Sequence, residues 1–163
     1  MSEELTQENI NLDEKVSVKN LCGWDVYFSR INSQGDVKVA SKGIVRLSRE
    51  EIQSQVYNGN KLFTGKDGNG SHARLFIDDK TTRLLIGFDN EDSNQKVLDK
   101  AALVDIFKIK GKKEFESTIQ TNVETQAEKF AAIQYAKEIN FNDLAKVKFL
   151  EDYTGYKFDD NTK

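Results

Sequence analysis

The chain has 163 residues, 37% hydrophobic and 31% charged, with a formal net charge of −3. That length suits one domain or two small modules, and it buries a core without disulfides or a metal. A single cysteine, Cys22, excludes an intramolecular disulfide and points to a reducing compartment. No apolar run approaches the ~18 residues of a membrane span, and no secretory signal is visible. Proline is absent, where average usage gives about eight, so turns must rest on Gly, Asn, Asp and Ser. Charge is unevenly spread. Residues 1–14 hold five acids (Glu3, Glu4, Glu8, Asp13, Glu14) and no base; residues 15–90 sum to +4 and residues 91–163 to −2.

Residues 1–14 read as an acidic arm whose sizeable apolar residues, Leu5, Ile10 and Leu12, have no period. A solvated flexible end is the default for such a segment. Folding back on the basic β part, or reaching a neighbouring subunit, are the alternatives. Val16 and Val18 share one face of a first strand, and Asn20 to Gly23 reads as a turn. Trp24, Val26 and Phe28 alternate with Asp25, Tyr27 and Ser29 in a second strand. Asn32–Asp36 is a turn, Val37 and Val39 start a third strand, and Gly43 to Leu47 extends the β register. Ser48 opens a short helix with a capping box to Glu51, a Leu47/Ile52 staple and a stop at Asn58 or Gly59. Residues 64–71 read as a flexible glycine-rich loop. Ala73, Leu75 and Ile77 form a strand, Asp79-Lys80 a hairpin turn, and Leu84, Ile86 and Phe88 its return.

At Asp89–Asn94 the rhythm changes from alternation to a helical period. Val97–Ile109 reads as a helix with Asp99 as a cap and Leu98/Leu103 as a staple. Gly111 centres a basic break. Phe115, Ile119, Val123 and Ala127 lie on one helical face, and Thr125 with Glu128 marks the start of a separate helix. Asn142 caps a last helix carrying Leu144, Val147, Leu150 and Tyr153, with Gly155 as its stop and Tyr156 folding back. The expected fold is α+β. Its β module, 15–89, is a small open barrel or sandwich of about five or six strands with one short helix. A helical module, 90–158, follows, and 159–163 is a disordered tail.

The residue chemistry argues against catalysis. His72 is the only histidine, and a proton-transfer role needs a partner that spacing does not supply. The reading taken is a polar residue at the start of a strand. Cys22 lacks a second Cys or His for metal, and it reads as a small apolar residue in a turn. Gly65–Ser71 lacks Gly-Lys-Ser/Thr and precedes a strand, so it is no phosphate loop. Asp89-Asn90-Glu91-Asp92 departs from the EF-hand pattern and reads as a solvated linker. The Lys108–Lys113 run is followed at once by Glu114 and Glu116. Residues 140–163 hold four lysines against five acids, so nucleic acid is not the expected partner. No catalytic, cofactor or metal residues are assigned. The candidate interface residues are Leu5, Ile10, Leu12, Trp24, Tyr27, Lys66, Asn69, Tyr153 and Tyr156. Trp24 and Tyr27 point to opposite faces of one strand, which leaves one for a partner.

Val16–Asn20 with Trp24–Phe28, Leu47–Ile52, Ala73–Asp79, Thr125–Ile133 and Asn142–Gly155 occur in an order that resembles small virion structural proteins of tailed bacteriophages of Firmicutes hosts. Asn142-Asp143, Lys146 and Thr154-Gly155 match the C-terminal segment of that group. The resemblance spans about residues 15–158. It implies a β module with a helical tail, location on the virion after synthesis in the host cytoplasm, and a non-enzymatic role. That role is capsid decoration or cementing through docking on the major capsid protein or other virion proteins, with self-association on the particle. A neck or tail component, and a regulatory module binding a host protein, are the alternatives.

Overall fold

The computed structural model describes residues 10–158. The chain divides into two compact units, Met1–Val97 and Leu98–Lys163. Together they make a mixed α+β protein, with small sheets in the first unit and helices alone in the second.

Five strands are formed among the described residues: β1 (Lys15–Asn20), β2 (Val26–Ser29), β3 (Asp36–Val39), β4 (Ile44–Ser48) and β5 (Leu75–Ile77). They build a three-stranded antiparallel sheet, β4-β1-β5, and a separate β2-β3 hairpin. Among the described residues no closed barrel is seen. Alternation is kept in β1, β2, β3 and β5: Val16 and Val18, Val26 and Phe28, Val37 and Val39, and Leu75 and Ile77 are all buried. The period-2 pleat places them on one face.

The buried Asn20 links β1 to the hairpin. Its Nδ2 donates to the carbonyls of Trp24, Val39 and Ala40 at 2.9, 3.0 and 3.2 Å, and its Oδ1 accepts the Cys22 amide at 2.8 Å. The hairpin also packs through Phe28, whose ring meets Phe63 edge-on at 5.4 Å. Phe63 lies in α2 (Lys61–Thr64), a short helix absent from the sequence reading. Asn60 caps it by accepting the Leu62 amide at 3.0 Å.

Helix α1 (Arg49–Tyr57) starts where expected, with Ser48 Oγ accepting the Glu51 amide at 3.1 Å. Its other half differs from a capping box. The Glu51 carboxylate accepts the backbone amides of Ile31 and Asn32 at 2.9 and 3.0 Å. Burial opposes its ionisation, but the Asn32 and Ile31 amides and Gln55 outweigh that and hold its pKa below the ordinary value.

The largest departure lies at residues 80–88. The expected return strand is a helix, α3 (Lys80–Leu85). Asp79 caps it, its carboxylate accepting both the amide (2.9 Å) and the hydroxyl of Thr82. Gly87 at φ +86° ends it, and the amides of Phe88 and Asp89 turn back to the Arg83 carbonyl. Local capping thus overrides the alternation of Leu84, Ile86 and Phe88. The change of rhythm at Asp89–Asn94 falls inside the first unit. Asp89 is buried rather than solvated, accepting the Gln95 amide at 2.6 Å and pairing with Arg83 and Lys80 at 2.9 and 3.1 Å.

The second unit holds α4 (Lys100–Phe107), α5 (Lys112–Asn122), α6 (Gln126–Glu138) and α7 (Leu144–Thr154). Its core comprises Leu98, Leu103, Ile106, Phe115, Ile119, Val123, Ala132, Ile133 and Leu150. The caps at Asp99 and Thr125 form as expected. Thr125 and Glu128 complete a reciprocal box, and the Glu128 carboxylate also takes the Glu124 amide at 2.9 Å. The α7 cap is one residue later than expected: Asp143, not Asn142, accepts the Lys146 amide, at 3.3 Å. Gly155 at φ +82° closes the helix in the left-handed region, where glycine carries no Cβ penalty.

Candidate interaction surface

Titratable groups converge most densely in the first unit, around α3. The buried Arg49 guanidinium reaches Asp79 at 3.1 Å, Glu14 at 3.2 Å and the Thr82 hydroxyl at 3.1 Å, and it also donates to the Asn11 carbonyl. At the other end of α3, Arg83 pairs with Asp89, donates to the Ile77 carbonyl at 2.7 Å and lies 5.0 Å over the Phe76 ring. Burial opposes ionisation of Asp79 and Asp89. Thr82 and Arg49 overcome it for Asp79; the Gln95 amide, Arg83 and Lys80 overcome it for Asp89. Both carboxyls are held below their ordinary value. Each charge is answered by a partner within this frame. The arrangement fixes α3 against the start of α1, β5 and residues 11–14.

The glycine-rich loop is closed by its own hydrogen bonds. The Lys66 amide donates to the Ser71 carbonyl at 2.9 Å and the Gly70 amide to the Thr64 carbonyl at 2.7 Å. Asp67 Oδ1 accepts the amides of Asn69 and Ser71. Gly65 is required: a Cβ there would stand 2.1 Å from the Ser71 oxygen. Among the described residues, no group of three or more His, Cys, Asp or Glu is placed to hold a metal ion. His72 is half-buried at φ +61°, and Cys22 is fully buried. No helix among the described residues is long and apolar enough to cross a membrane.

The candidate interface residues are scattered by the fold. Leu5 lies outside the described residues. Ile10 is in the core, and Leu12 is half-buried, its carbonyl accepting the Glu50 amide at 2.9 Å. Trp24 is half-buried at the Asn20 turn, whereas Tyr27 is 62% exposed on the outer face of the hairpin. Lys66 and Asn69 sit at the exposed loop tip. Tyr153 and Tyr156 serve the second unit's own packing. The Tyr153 hydroxyl donates to the Val123 carbonyl at 2.7 Å, while the Tyr156 hydroxyl accepts from Gln126 at 2.7 Å and its ring meets Phe130.

Other large apolar residues are left outside both cores: Ile44 at 60%, Tyr57 at 71% and Leu144 at 82% exposed. Sequence reasoning missed the first two because it assigned no face to the Gly43–Leu47 segment and did not single out Tyr57. It grouped Leu144 with Val147, Leu150 and Tyr153 as the apolar residues of the last helix. The buried residue near that helix start is instead Lys146. Its ammonium donates to the carbonyls of Ile109 and Lys110 at 2.7 and 3.0 Å and lies 5.1 Å over the Phe115 ring. Those carbonyls follow α4, where a cation is favoured. Compared with protein-family models, curated proteins and solved structures, the chain matches none.

Proposed function

We propose that this protein is a non-enzymatic structural component of a tailed-bacteriophage particle, a decoration protein that docks on the capsid. The observation that carries the docking reading is the set of large apolar side chains outside the cores: Tyr27, Ile44, Tyr57 and Leu144. Desolvating such residues against a partner supplies binding energy that a solvated surface does not. In this reading the two sheets act as a small open sandwich that anchors on the shell, and the helices reach an adjacent copy.

The phage assignment rests on motif order. The matched C-terminal residues have folding roles here. Asp143 caps α7, Lys146 bridges to the carbonyls after α4, Thr154 bonds the Leu150 carbonyl, and Gly155 ends the helix. A helix built in this way presents a surface and needs no catalytic residue. Mass spectrometry and cryo-EM of purified particles test the proposal, with the protein expected on the shell in many copies. Presence in infected cells but absence from particles would overturn it and favour binding to a host protein.

A further inference from the structure

Two asparagines directly precede glycine, Asn58 and Asn69. At such a pair the glycine amide nitrogen can attack the asparagine Cγ. The new N–Cγ bond closes a five-membered imide, the Cγ–Nδ2 bond breaks, and ammonia leaves. Water then opens the imide at either carbonyl, giving aspartate or its β-linked isomer. Glycine favours the step because it has no Cβ and reaches conformations closed to other residues. The attack needs the glycine nitrogen brought up to Cγ and released from its own hydrogen bond. The two sites differ in what must open to release it.

Asn58 is the exposed C-cap of α1. Gly59 is exposed at φ +76°, with nothing within 4 Å of where a Cβ would stand. The Gly59 amide donates to the Val56 carbonyl at 3.0 Å, and Asn58 Nδ2 donates to the Ser54 carbonyl at 2.8 Å. Both bonds lie in the last turn of the helix, so fraying of that turn frees nitrogen and side chain together. The Asn69 site is built into the packed part of the first unit instead. The Gly70 amide donates to the Thr64 carbonyl at 2.7 Å, and the Gly70 carbonyl accepts Gln95 Nε2 at 2.9 Å. Gly70 is buried, and a Cβ there would stand 2.8 Å from the Phe88 ring. Freeing its nitrogen means lifting the loop off Gln95 and the buried Phe88. Helix ends open at far lower cost than packed segments. We infer that Asn58 is a site of spontaneous deamidation, with water as the co-reactant, and that the folded loop protects Asn69. The product loses the bond to Ser54. It also sets a carboxylate at the helix C-terminus, where the dipole disfavours it and the last turn has no basic residue. The new charge adjoins the exposed Tyr57, so ageing here alters the apolar set used for docking. That consequence rests on the proposed function, whereas the modification itself does not.

The test holds native protein in mildly alkaline buffer and digests it at intervals. The peptides carrying Asn58 and Asn69 are scored by mass and by isoaspartyl content. Conversion at Asn58 is expected to run at least about ten-fold ahead of Asn69, and the two rates should converge in denaturant, where neither turn nor loop persists. Asp67→Ala removes the acceptor of the Asn69 and Ser71 amides and should raise the Asn69 rate several-fold without moving that of Asn58. Equal rates in the native protein, or a faster Asn69, would overturn the inference. So would a native Asn58 that stays intact while the denatured chain reacts. Asn58→Asp should weaken particle binding; unchanged binding overturns the docking consequence alone.

Discussion

The two units hold themselves together by different means. Among the described residues the first unit buries eight polar or charged residues beside its apolar core: Asn20, Arg49, Glu51, Gln53, Gln55, Thr64, Thr82 and Asp89. The second buries three: Glu128, Lys146 and Thr154. Strands of three to six residues bury little apolar surface each, so the first unit ties distant segments together with side-chain-to-backbone bonds. Asn20, Glu51 and Arg49 each join elements at least nineteen residues apart. The second unit is longer in its elements, closes them with local caps, and packs aromatic rings such as Phe107, Phe115 and Phe141 in edge-on and stacked pairs. Polar specification in one unit and apolar burial in the other imply different vulnerabilities.

The sharpest break is Phe115→Ala, which leaves a cavity at the centre of the second unit and is expected to cost about 3–5 kcal/mol. Residue-resolved denaturation should show second-unit amides lost first. Arg49→Met strands Asp79 and removes the bond to Thr82; about 3 kcal/mol is expected, read in first-unit amides, since breaking a buried ion pair leaves an uncompensated charge. Asp79→Asn combined with Arg49→Met should recover part of it.

Acid sharpens the same contrast. Asp79, Asp89 and Glu51 have folded pKa values below their unfolded references of 3.8, 3.8 and 4.5. The stability they contribute is present above those references and is lost as pH falls through them toward the folded values. First-unit amides should therefore lose protection between about pH 5 and pH 3, most visibly at α3. Thr125→Ala removes one half of a capping box and should cost about 1 kcal/mol, seen as a lowered denaturation midpoint. The smallest effect is expected from Leu144→Ser, within about 0.5 kcal/mol, because its side chain lies outside the core. If the docking reading holds, this variant should weaken particle binding without changing the melting point.

How much of this was legible follows from how local each signal is. The strand faces and the caps at Ser48, Asp99 and Thr125 depend on residues within four positions, and sequence spacing carries them. Helix α3 was hidden because Leu84, Ile86 and Phe88 imitate a strand. Asp79, which caps the helix by accepting the Thr82 amide, was read together with Lys80 as a hairpin turn. The second role of Glu51 was invisible, since its partners Ile31 and Asn32 come near only after the hairpin folds. The buried Lys146 was equally hidden. Only the path of the chain at Ile109 and Lys110 supplies its acceptors. The exposed Ile44 and Tyr57 carry no motif and emerge only when the sheet and helix are placed.

The Asn20 turn has one further consequence, through the buried thiol it encloses. Cys22 is the only sulfhydryl in the chain, and its amide is tied to Asn20 Oδ1 at 2.8 Å. A thiol reagent can reach it only when that turn opens. The rate of its modification is thus a built-in clock for local opening of the first unit, readable on the native protein without an added label. In denaturant the same clock separates fraying of the turn from global unfolding, because the two openings expose different amounts of surface and respond with different slopes.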